Sequence, residues 1–133
     1  MDALIKILFP AEISYHFEVK EVNDYPGRIE IRLEEYPELV PSQMTGDTAI
    51  VLDGFCNPIE LQTFMIKGKA TFLKIYRRRW KFQGQSKHYS NTYELNPEGV
   101  KATNEFASFL KDNVGLTPDQ YLAFVRSVSH RMQ

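Results

Sequence analysis

The sequence predicts an α+β fold: an antiparallel β-sheet of about four to six strands, a short N-terminal helix before it and a helical hairpin after it. Three observations carry this. Ile29, Ile31 and Leu33 alternate with charged residues, the period of a half-buried strand. Pro26-Gly27 and Lys67-Gly68 interrupt strand-like segments where tight turns belong. After residue 99 the apolar period lengthens to that of a helix. The 133 residues suffice for one domain, with 1–98 mostly β and 99–133 the helix pair.

Leu4, Ile7 and Leu8 lie at helical spacing, and Pro10 is placed to open a second short turn through Tyr15. His16–Val22 and Arg28–Leu33 form a hairpin around residues 23–27, the first strand alternating less cleanly than the second. Residues 34–47, with Pro37 and Pro41, read as a loop. Ala49–Leu52 is a short strand, broken by 53–58. Ile59–Ile66 and Lys69–Phe82 follow as strands around the Lys67-Gly68 turn. A straight strand over 69–82 would span about 46 Å at ~3.3 Å per residue, so a bend or bulge is expected near Arg77–Arg79. Residues 84–91 form a polar turn and Thr92–Leu95 a last strand. Val100–Asn113 is a helix stopped by Gly115; Thr117 then caps a second helix that has Pro118 at its first position.

Charge is unevenly distributed. The formal net charge is −1, yet residues 61–93 hold eight basic residues and no acidic one, while residues 1–60 hold twelve acidic against four basic. A basic segment of this kind is suited to an anion, with phosphate the usual candidate. In Phe72–Phe82 parity sets Tyr76, Trp80 and Phe82 toward the core and Arg77, Arg79 and Lys81 outward, about 6.6 Å apart at ~3.3 Å per residue. That row can follow a sugar–phosphate backbone, since guanidinium forks match phosphate oxygens. Two other readings stand beside it: an edge strand protected by charge, or pairing with the N-terminal acids. The helix pair fits either the start of a helix-turn-helix or a hairpin packed on the sheet.

Other chemistry finds little support. His16, His88 and His130 lack metal-ligand spacing, and the single Cys56 excludes an intrachain disulfide and a multi-cysteine zinc site. Neither a poised carboxylate pair nor a phosphate-cradling glycine loop is present. No apolar run approaches the ~20 residues of a bilayer span, and the start does not read as a signal peptide. The expectation is a cytoplasmic, cofactor-free, non-enzymatic protein.

Two segments are distinctive. One comprises Thr63, Phe64, Met65 and Ile66, then Gly68 and Lys69, then Arg78, Arg79 and Trp80; the other comprises Gly99, Thr103, Glu105, Phe106, Ala107, Phe109, Leu110 and Lys111. With the opening ILFPAEISYHFEV, they resemble the N-terminal region of bacterial insertion-sequence transposases, in the type where this region is a separate short protein ahead of the catalytic one. The strong part covers about 50 residues. Thr63 and Met65 stand where the family has an acid and a proline, and Lys81 and Phe82 where related families begin a cysteine-rich zinc ribbon. The resemblance therefore implies no zinc. It implies an accessory protein of a transposition system that binds double-stranded DNA at the element ends. Arg77, Arg78, Arg79 and Lys81 would make the contacts, Lys67, Lys69, Lys74 and Lys87 would widen the footprint, and Arg126 and Arg131 would add contacts from the last helix. The alternative is an interaction module that docks the catalytic transposase or associates with itself.

Overall fold

Alternation in the sequence becomes burial in the fold. The computed structural model describes residues 7–46 and 49–131, without the side chains of 125 and 127–131. In strand β2 (Arg28–Glu35) Ile29, Ile31, Leu33 and Glu35 are buried, and the four residues between are half-buried. Strand β1 (Phe17–Asp24) pairs with it antiparallel, with a bulge between Val19 and Glu21. The bulge shifts the parity, so that Val22 is the register partner of Ile31 as Val19 is of Leu33, although Val22 itself is exposed; this explains the imperfect alternation.

Strands β4 (Ile59–Ile66) and β5 (Lys69–Tyr76) form the second hairpin, antiparallel around Lys67-Gly68. Both turn residues have positive φ, 57° and 70°, as a two-residue hairpin turn of primed type requires. The expected sheet is corrected at its centre: β2 and β5 pair in parallel, giving the order β1-β2-β5-β4. Leu61, Leu73 and Ile75 complete a core with Ile29, Ile31 and Leu33, closed by Ile13, Phe17 and Leu95. Ile13 belongs to α1 (Ala11–Ser14), which starts directly after Pro10. The expected helical piece at Leu4–Leu8 falls mostly outside the described residues.

A second sheet sits beside the first. Strand β6 (Arg78–Phe82) lies between β3 (Ile50–Phe55) and β7 (His88–Tyr89), antiparallel to both. The break at Arg77, between β5 and β6, is the bend expected from the length of the basic segment. Strand β3 outlasts the expected Ala49–Leu52 because a bulge at Asp53 and Gly54 lets it continue to Phe55. Residues 92–95 are not a strand, although Tyr93 and Leu95 pack on the main core.

The C-terminal part covers the other flank. Residues 101–103 are not helical: they add to β4, with Gln62 donating to the Lys101 carbonyl and Thr103 donating to the Gln62 carbonyl, each at 3.0 Å. Helix α2 (Asn104–Phe109) therefore begins later than its periodicity implied, capped by Thr103, and a π-turn (Leu110–Val114) carries it to Gly115. Helix α3 (Pro118–Arg131) opens with a reciprocal cap between Thr117 and Gln120. Phe106 and Phe109 meet Phe64 of β4 edge-on, and Tyr121 and Leu122 pack on Ala70 and Phe72 of β5. Both helices thus lie against the sheet. Among the described residues no helix is long and apolar enough to cross a membrane.

Candidate nucleic-acid interface

The junction between the two sheets fixes how the basic strand is presented. Glu35 ends β2 on its buried face and has no exposed surface. One carboxylate oxygen accepts from the Arg78 backbone amide at 2.8 Å; the other accepts from Asn91 Nδ2 at 2.9 Å and from the Tyr93 hydroxyl. The Glu35 carbonyl accepts from Arg78 Nε at 2.7 Å. Burial, with the Glu35 carboxylate beside it, drives the Tyr93 phenol well above its ordinary range. Arg77 is drawn into the same junction, donating from Nη1 to the Asn91 carbonyl at 3.0 Å. It does not stand in the outward row that parity gave it. The chain breaks at this residue, so alternation does not carry through it.

Among the described residues, five of the expected DNA-contacting cations meet carboxylates within the chain. Lys67 and Lys69 hold Asp24 at 3.2 and 2.6 Å. Lys74 lies 2.8 Å from Glu30, Arg78 3.9 Å from Glu34, and Arg79 3.7 Å from Asp53. Lysines 69 and 67 hold the Asp24 carboxyl below its usual range, and Lys74 does the same for Glu30. The outer face of the main sheet is a mixed-charge ladder laid over rings: Arg28 stacks on Phe72 at 4.1 Å and Arg32 on Tyr76 at 3.9 Å. Tyr76, expected in the core, is half-buried in this stack. The pairing with N-terminal acids, one of the readings open from sequence, engages five of the segment's eight cations through four carboxylates.

The remainder gathers on the small sheet. Trp80 is buried, and Phe82 is half-buried against Tyr89, their rings 5.6 Å apart. Arg79, Lys81 and Gln83 alternate with them and share the opposite face. Arg79 donates from Nε to the Asp53 carbonyl at 2.8 Å and passes over Gly54, where φ is +78° and a Cβ would lie 3.8 Å from the guanidinium. His88, the register partner of Lys81, hydrogen-bonds Asp53 at 2.5 Å. His88, then Lys81 and Arg79, hold the Asp53 carboxyl below its usual range. Lys87 is exposed, its ammonium 5.0 Å from the Tyr89 ring centroid. Among the described residues neither Lys81 nor Lys87 forms an ion pair: Arg79 and Lys81 stand near Asp53, whereas Lys87 lies on the other face, over Tyr89.

Arg126 is exposed on α3, and the Arg131 and His130 side chains lie outside the described residues. His16 bonds the Glu12 carbonyl, Cys56 is half-buried, and among the described residues no cluster of metal-ligating side chains forms. Sequence reasoning missed Glu35, Asp53 and Gln83. Glu35 was detectable, because it continues the Ile29, Ile31, Leu33 parity onto the buried face. Asp53 carried no such signal, since its pairing depends on the bulge. The chain has no match among protein-family models, curated proteins or solved structures.

Proposed function

We propose that the chain is an accessory DNA-binding protein of a transposition system, contacting element-end DNA through the small sheet. The observation that carries the binding is the surplus of cation at the small sheet: among the described residues Lys81 and Lys87 have no acid partner, and Arg79 shares its one acid, Asp53, with His88. Backbone phosphates suit such a face, because each neutralised phosphate releases a condensed counterion. The assignment to transposition draws on the resemblance in residues 64–80 and 93–111. The footprint is narrower than the full basic segment, since Lys67, Lys69, Lys74 and Arg78 are occupied within the chain.

Fluorescence anisotropy against a duplex of the element's terminal repeat tests this. With about three phosphates neutralised, log K falls against log salt with a slope of about −2 to −3. Lys81→Ala and Lys87→Ala each reduce the slope by about one unit, and Lys67→Ala leaves it unchanged. No binding at low salt, joined to co-purification with the catalytic transposase, replaces this reading with that of a docking module.

A further inference from the structure

We propose that the β6–β7 hairpin reads base edges in the major groove of duplex DNA, with Gln83 and Gln85 as the specificity-determining residues. This rests on the DNA-binding reading above and adds selectivity to it. Gln83 extends the row of Arg79 and Lys81 by one step on the same face, so a backbone-contacting row runs directly into an amide. The next residues carry the chain over a tip: Gly84 has φ +81°, and the Gln85 amide closes a turn onto the Phe82 carbonyl at 3.0 Å. Residues 83–88 are all exposed. Among the described residues, the side chains of Gln83, Gln85 and Ser86 have no hydrogen-bond partner in the chain, so their donors and acceptors are available.

The base of the hairpin is rigid. Gln83 donates its backbone amide to the Ala49 carbonyl at 2.9 Å, Trp80 pairs with Tyr89, and Lys81 pairs with His88. The polar tip of the β6–β7 hairpin, at the end of this fixed three-stranded sheet, is narrow enough to enter a major groove about 12 Å wide. Carboxamides pair bidentately with adenine N6 and N7, whereas phosphate contacts carry no sequence information. A-form RNA has a major groove too narrow for side chains to read, which favours DNA as the ligand.

The test is selection from a random duplex DNA library with the full chain, run beside anisotropy on one arbitrary duplex. The wild type enriches a motif containing adenine. Gln83→Ala/Gln85→Ala keeps the affinity and salt slope on the arbitrary duplex, while enrichment falls at least about fivefold at one or two base pairs. Gln83→Glu, which keeps the volume, moves the preference from adenine toward cytosine, since a carboxylate accepts from cytosine N4. An unchanged motif in these variants overturns the inference. So does wild-type binding without any enriched motif, or equal affinity for an RNA duplex; both leave the binding reading standing. Absence of duplex binding at low salt removes both.

Discussion

A carboxylate with no exposed surface is tolerable only where its lone pairs are met, and Glu35 meets this with the Arg78 amide, Asn91 and Tyr93. Removing it strands three donors in the junction. Glu35→Ala is expected to cost about 2–5 kcal/mol, at the upper end of hydrogen-bond losses. Thermal unfolding checks this, and a loss under about 0.5 kcal/mol would show that the donors find water. Lys67→Ala provides the contrast: its ion pair with Asp24 is exposed to solvent and screened, so its removal leaves thermal stability almost unchanged. The difference between these residues was only partly legible. Parity places Glu35 inside, but its partners lie more than forty residues away in the chain. No local pattern announces them.

Elements that rest on local chemistry were the ones most legible. The Lys67-Gly68 turn, the break near Arg77 and the Thr117 cap all follow from residue type or length, and all are present. The turn leaves one non-glycine residue at positive φ, Lys67, where asparagine is better tolerated. Lys67→Asn is therefore expected to stabilise the β4–β5 hairpin by a few tenths to about 1 kcal/mol despite losing an exposed ion pair. Chemical denaturation reads this as a raised midpoint at constant slope. Elements that rest on non-local pairing were not legible. The β2·β5 parallel pairing sets Glu30 beside Lys74, and residues 101–103 give up helix for the edge of β4. Likewise the destination of the arginine run depended on which acids the topology brought alongside. Composition reported the charges without their partners.

Across the whole molecule, the sequence's segregated charge becomes interleaved charge. The paired carboxylates Asp24, Glu30 and Asp53 all have folded pKa values below their unfolded ones. In acid the unfolded state then binds more protons, so their contribution is present above about pH 4 and is lost as pH falls through the folded values. On the alkaline side Tyr93 and Tyr121 are raised by burial, and Lys74 by Glu30. Their contribution is complete below about pH 10 and declines as pH rises through the folded values. Melting temperature against pH should therefore form a plateau with two falling limbs, and Tyr93→Phe should flatten the alkaline one. The parallel centre of the main sheet also governs the order of assembly. The β1–β2 and β4–β5 hairpins join near neighbours in the chain and can each close in about 1–10 μs. Joining β2 to β5 requires closure between positions about forty residues apart, so this docking step sets the folding rate. The Glu35 junction joins residues 43 to 58 positions apart in the chain, so it is completed only once that docking step has brought the two hairpins together.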